Sequence, residues 1–234
     1  MLRLYLPGRP ATGEPVAIPR EQVRHLHALR LVAGDRVRVF DDDGREHEIV
    51  LDRVTSREAG GRVVASWEAA RESALELALL PALVKHDKMD WVVEKATELG
   101  VARIAPVVTR FTVARGDHVE RWRRIALAAA KQCGRTRLPV VEAPRPLADA
   151  VGDAWPGLRL MAWEDEDAVR LTDLPSAASA VCVLVGPEGG FDAAEVATAR
   201  AAGFRTVTLG RRVLRAETAS VTAVALCQHR WGDV

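Results

Sequence analysis

From about residue 75 onward the chain alternates short apolar runs with amphipathic stretches, and no other feature of the sequence restricts its fold as much. "LELALLPALV" reads as a buried strand. "DKMDWVVEKATELG" follows as a helix, with Met89, Val92, Val93, Ala96 and Leu99 on one face, Asp87 as N-cap and Gly100 at the exit. "VARIAPVV" is a strand, and "HVERWRRIALAAAKQCG" a helix with a basic outer face. "LRLMAW" and "VCVLVG" are further strands; "DAAEVATARAAG" is a helix whose Asp192 and Glu195 stand at capping-box spacing. The strand "TVTLG" and a last helix over about 217–230 complete the series. Alternation of this kind predicts an α/β fold, a mostly parallel sheet covered by helices. In such sheets ligands bind outside the carboxyl ends of the strands.

The first 72 residues follow a different pattern. "PREQVRHLHALRLVAGD" predicts a short helix closed by Gly34. "DRVRVFDDDGREHEIVLDRV" alternates apolar and polar residues around an Asp-Gly turn, a hairpin signature, and "GGRVVASWEA" adds another strand. Short strands with little helix suggest a small β-barrel. The expected organisation is therefore a barrel over 1–72 and an α/β domain over 73–234.

Composition sets the outer limits. About half the residues are apolar and no stretch is of low complexity, as in an ordinary soluble globular chain. No apolar run approaches the ~20 residues that span a bilayer, so no membrane is expected, and "MLRLYLPGRP" lacks the apolar core of a signal peptide. Cys133, Cys182 and Cys227 form no C-x-x-C pair and read as reduced thiols of a cytoplasmic protein. No His/Cys/Asp cluster has metal spacing, so no metal is expected. The net charge is only +1, yet residues 103–145 carry ten basic and three acidic side chains. That excess suits a polyanion or a solvated helix face equally well.

Two glycine-bearing loops sit where an α/β sheet binds ligands: "VGPEGGFDAAE" and "LGRRVLRAETA". Glycine there lets backbone amides approach a ligand closely. "GPEGG" lacks both the G-x-G-x-x-G fingerprint and the Lys-Ser/Thr of a P-loop, so alone it reads equally as a tight turn. Arg215 and Glu217 precede an apolar helix, where Glu217 could serve only to complement the helix dipole.

Together with "KHDKMDWVVEKATELGVARIAPVVTRF" and "AAAKQCGRTRLPVV", these loops resemble the RsmE family of SPOUT-class methyltransferases, and "HALRLVAGDRVRVFDDDG" resembles the PUA-like barrel of that family. The resemblance covers nearly the whole chain. It departs at Lys131 and Cys133, which flank Gln132 where many relatives carry Glu and Ser. It implies a SPOUT-type parallel sheet with a C-terminal trefoil knot, a homodimer, S-adenosylmethionine as cofactor, and N3 of one uridine in 16S ribosomal RNA of the small-subunit particle as methyl acceptor.

The resemblance also implies a set of site residues. Gly186, Pro187, Glu188, Gly189 and Gly190 would meet the cofactor from the first loop. Leu209, Gly210, Leu214, Arg215, Thr218 and Ala219 would meet it from the second, with Leu209 and Leu214 as apolar walls. Leu160, Met161 and Ala162 would form a third side. A side chain at Gly189 would stand in the ligand's path. Uracil N3 must lose a proton before attack, so Arg215 is the expected stabiliser of the uracil anion and Glu217 the expected proton acceptor. Gln132, Arg135 and Arg137 would position RNA, and Arg20, Arg24 and Arg30, near His25 and His27, would add a second contact. N3 lies on the pairing edge, so the base must be unpaired or flipped. Ribose 2′-O-methylation and a non-catalytic ribosome-assembly role remain alternatives at this point.

Overall fold

In the computed structural model, which describes residues 1–8, 10–114 and 116–234, the chain divides into two units. The first holds Met1–Glu72 with Ala130–Leu138, and the second holds Ser73–Ala129 with Pro139–Val234. Residues 130–138, expected in the second domain, thus cluster with the first.

The first unit contains β1 (Arg3–Tyr5), β2 (Pro15–Ile18), α1 (Arg20–Ala28), β3 (Arg36–Phe40), β4 (Arg45–Val54) and β5 (Ala59–Glu68). They form a five-stranded sheet in the order β1-β3-β4-β5-β2, with β1 parallel to β3 and the other pairs antiparallel. Period-two alternation turns Val37, Val39, Ile49, Leu51 and Val63 inward, where they pack with Leu4, Val23 and Leu26. The predicted Asp-Gly hairpin forms around Asp41–Gly44, with Asp42 at φ 74° and Gly44 at φ 92°.

Helix α1 does not run on to Gly34 as expected. Arg30 takes the left-handed position at φ 56°, its N–H donates to the His27 carbonyl, and the N–H of Leu31 donates to that of Leu26. This is a Schellman closure with arginine where glycine is usual. Composition therefore gave no sign of it.

The second unit contains β6 (Glu76–Pro81), α2 (His86–Glu98), β7 (Arg103–Ile104), β8 (Val107–Val108), α3 (Val119–Cys133, whose last four residues cluster with the first unit) and β9 (Val140–Val141). It continues with β10 (Arg145–Pro146), α4 (Leu147–Val151), β11 (Leu158–Ala162), β12 (Ala180–Val185), α5 (Ala193–Ala201), β13 (Arg205–Val207) and α6 (Ala216–Trp231). The predicted parallel sheet is present, six strands in the order β13-β11-β12-β6-β7-β9, with every neighbouring pair parallel. "VARIAPVV" splits in two: β7 joins this sheet, and β8 pairs with β10 beyond Pro106, which has no N–H to continue a ladder.

Strand alternation separates two cores. Leu77, Leu79, Leu160 and Val183 pack with Val92, Val93 and Val224 of α2 and α6. Leu80, Met161, Cys182 and Leu184 pack with Ala150 and Ala199 of α4 and α5. Strand β12 is buried along its whole length, as expected of a strand covered on both faces. Gln228, fully buried, accepts from Ser73 Oγ at 2.8 Å and donates to the Leu99 carbonyl at 2.8 Å, fixing α6 to the end of α2.

Helix ends follow local chemistry. Asp192 and Glu195 form the predicted reciprocal capping box of α5. Gly100 and Gly203, at φ 83° and 86°, close α2 and α5 in Schellman motifs. Asp87 is not the N-cap of α2. Lys85 holds that position and Asp87 lies inside the first turn, where its charge still suits the helix dipole. Among the described residues no helix is long and apolar enough to cross a membrane.

Candidate functional site

Three neighbouring strands, β13, β11 and β12, end side by side, and the segments that follow them enclose one cleft. Ala162, the last residue of β11, lines it with Trp163 and Glu164; Val185, the last of β12, with Gly186, Pro187, Glu188 and Gly190; and Thr208 through Leu214 line it after β13. Ala216 and Ala219, from the first turns of α6, complete the wall. The cleft is a pocket open to solvent on one side.

The two glycine loops do meet, as their positions after strands predicted. Gly190, at φ 70°, closes a turn through its N–H to the Pro187 carbonyl at 3.0 Å. The space a Cβ would fill there is taken by the Glu164 carboxylate. Gly210, at φ 113°, faces open space.

Of the expected cofactor residues, Ala162, Gly186, Pro187, Glu188, Gly190, Leu209, Gly210, Leu214 and Ala219 line the cleft. Leu160 and Met161 do not: alternation sends their side chains into the two cores, and only the strand's last residue reaches the cleft. Gly189 faces the other way, and a Cβ there would lie 2.9 Å from Phe111 Cβ. Arg215 and Thr218 are exposed and stand outside the lining. The reading missed Trp163, Glu164, Thr208, Arg211 and Arg212, although counting one or two residues past each strand would have found the first three.

The charges around the cleft are ordered. Lys88 of α2 reaches Glu188 Oε1 at 2.8 Å and Glu217 Oε2 at 3.3 Å. The hydrogen bond to Glu188, reinforced by Glu217, holds the Lys88 ammonium above its ordinary pKa, and the same bond keeps Glu188 below the usual carboxylate value. Glu217 Oε2 is cut off from solvent. Arg215 is the N-cap residue of α6, without a side-chain cap bond and without a carboxylate partner among the described residues.

The expected RNA contacts fall into two groups. Arg20, Arg24, Arg30, Gln132 and Arg137 are exposed. Arg135 is not: it is 5% exposed, and its Nε and Nη2 each lie 3.0 Å from Glu72 Oε2. The basic excess of 103–145 is also partly neutralised. Arg103, Arg121 and Arg145 pair with Glu142, Asp90 and Asp153, and Arg110 pairs with Asp192. Partners distant in sequence supply most of these carboxylates, which a local count cannot register.

Spacing along the chain predicts no metal-binding cluster, but folding brings candidate ligands together. In the folded hairpin Asp41, Asp43 and His47 bring potential ligand atoms within 4.8 Å of one another. Burial holds the His47 imidazole below its ordinary pKa, partly offset by Asp43. Cys182 and Cys227 are buried free thiols; burial raises the Cys182 pKa strongly and that of Cys227 to about 12, consistent with packing roles.

Comparison with known proteins places the chain in a family. The RNA methyltransferase domain family matches residues 71–228, and the RNA methyltransferase PUA domain family matches residues 18–53. Ribosomal RNA small subunit methyltransferase E of a Synechocystis strain is 31% identical, over 90% of this chain and 71% of its own length. The protein of that name from Rickettsia conorii is 28% identical, over 95% of this chain and 93% of its own. The crystal structure of ribosomal RNA small subunit methyltransferase E from Neisseria gonorrhoeae, bound to S-adenosyl methionine, is 33% identical, with a TM-score of 0.93 over 100% of this chain and 99% of that one. Likeness of both fold and sequence across almost the full length means that this chain belongs to the ribosomal RNA small subunit methyltransferase E family.

Proposed function

We propose that this protein transfers a methyl group from S-adenosylmethionine to N3 of a uridine in 16S ribosomal RNA of the small-subunit particle. The cleft at the ends of β13, β11 and β12 carries this reading, in a chain whose relative was crystallised with that cofactor. The lining suits the ligand's chemistry: apolar Val185, Leu209 and Leu214 for the adenine, Glu164 and Glu188 for cationic or hydroxyl groups, and Arg211 or Arg212 for the carboxylate. When bound, the cofactor supplies a methyl group on a sulfonium, which leaves as a neutral thioether.

The chain's own residues then have two tasks. They hold donor and acceptor in line, and they remove the N3 proton. Arg215, at the mouth of the second loop, favours the uracil anion, and Glu217 accepts the proton. The exposed Arg20, Arg24, Arg30, Gln132 and Arg137 track the RNA backbone; 1–72 is an RNA-binding domain and 73–234 a methyltransferase domain. Trefoil threading of the C-terminal segment, a homodimer, catalysis without a metal and a cytoplasmic location complete the reading.

Incubation with unmethylated small-subunit particles, followed by mapping of the modified nucleotide, tests it. One uridine methylated at N3 is the expected product; ribose methylation, or binding without transfer, refutes it. Gly189 has a role the sequence did not suggest. Gly189→Ala is expected to lower the melting temperature through the Phe111 contact, at about 1–3 kcal/mol, while calorimetric cofactor affinity stays within about threefold. Lost affinity at an unchanged melting temperature would put this residue back in the cleft.

A further inference from the structure

We propose that Lys88 is a positioning residue for methyl transfer: its ammonium, shared between Glu188 and Glu217, holds the Glu217 carboxylate where it accepts the N3 proton. This rests on the reading of Glu217 as the proton acceptor. Neither Lys88 nor Glu217 lines the cleft; Lys88 belongs to the first turn of α2. From there its Nζ reaches Glu188 Oε1 on the cleft wall at 2.8 Å and Glu217 Oε2 in the first turn of α6 at 3.3 Å. The Glu217 side chain is only 14% exposed, and Lys88 is its sole ion-pair partner among the described residues.

A plain tie between two helices is the simpler account, but α2 and α6 are already joined without it. Gln228 bonds the Leu99 carbonyl, and Val92, Val93 and Val224 share one core. With that hydrogen bond and core in place, the attachment of the two helices does not depend on the Lys88 ion pair. What the ammonium alone provides is a common counter-charge for two carboxylates from different elements. Removing it leaves like charges facing one gap in a partly desolvated place, where repulsion is felt more strongly than in water. The carboxylates then separate, and Glu217 leaves the line of proton transfer.

Single-turnover rates at saturating S-adenosylmethionine and small-subunit particles test this, with calorimetric cofactor affinity and melting temperature measured on each variant. Lys88→Met should slow transfer at least ~10-fold, part of the ~10²–10⁴ a general base supplies. Cofactor affinity should change less than about threefold, and Lys88→Arg, which can still bridge two carboxylates, should recover most of the rate. The Lys88→Met/Glu217→Gln double variant should be no slower than Glu217→Gln alone, since coupled residues are not additive. A full rate in Lys88→Met beside a slow Glu217→Gln overturns the positioning role alone, as does multiplicative slowing in the double variant or a loss confined to cofactor affinity. A full rate in Glu217→Gln overturns the proton-acceptor reading itself.

Discussion

Arg215→Ala is expected to lower the single-turnover rate of methyl transfer by at least ~10²-fold, the lower range for losing one transition-state donor. Cofactor affinity should hardly change, because the Arg215 side chain lies outside the cleft lining. The fold should also survive. Arg215 occupies the N-cap of α6 with φ −64° and ψ 152°, a conformation alanine adopts freely, and its side chain makes no cap bond that could be lost. In the proposed mechanism an exposed guanidinium beside a helix N-terminus favours an anion as the proton leaves N3. Raising the pH should therefore restore part of the rate, since more uracil ionises unaided. Arg215→Lys should recover only part of it, having charge but no planar fork. If the variant instead loses cofactor binding and keeps its rate at saturation, Arg215 belongs to the donor pocket. The anion-stabilising role would then pass to another group.

Arg135→Ala should act on stability and leave RNA binding alone. The guanidinium bonds Glu72 Oε2, while Glu72 Oε1 accepts the N–H groups of Thr136 at 2.8 Å and Arg137 at 3.0 Å. The Arg135 carbonyl in turn accepts from Arg3 Nη2 at 2.6 Å. Breaking one side of a buried pair typically costs 3–5 kcal/mol. The two backbone donors still held by Glu72 place this case near ~3 kcal/mol. At roughly 2–4 °C per kcal/mol for a chain of this size, the melting temperature should fall by about 6–12 °C. The slope of log RNA affinity against log salt should stay as in the parent, whereas each lost phosphate contact lowers it by about 0.7–0.9. A reduced slope at an unchanged melting temperature would mean that the guanidinium leaves Glu72 to hold RNA.

Arg135 also marks where sequence reading stops. The parallel sheet, its helices and the meeting of the two glycine loops were legible because each rests on local periodicity or on the position of a loop after a strand. The Asp192/Glu195 capping box was legible for the same reason, as its partners are three residues apart. Charge partners were not. Glu72 and Arg135, Asp90 and Arg121, and Lys88 and Glu217 are paired by tertiary placement, and a chain read in order treats each as a separate surface ion. Side-chain direction was the other blind spot. Leu160 and Met161 lie on the right strand but point into the cores, and Gly189 lies in the right loop but turns toward Phe111.

The cleft draws its walls from strand ends around residues 162, 185 and 208 and from the first turns of α6, elements remote in the chain but adjacent in space. During synthesis β12 and β6 can pair well before β13 and α6 have been made. The cleft cannot be complete until α6 has emerged and docked. Contacts of such long sequence separation also form slowly, because loop closure must precede them. A nascent chain therefore has no complete cleft, and any ligand that needs all its walls can select only molecules in which α6 has docked.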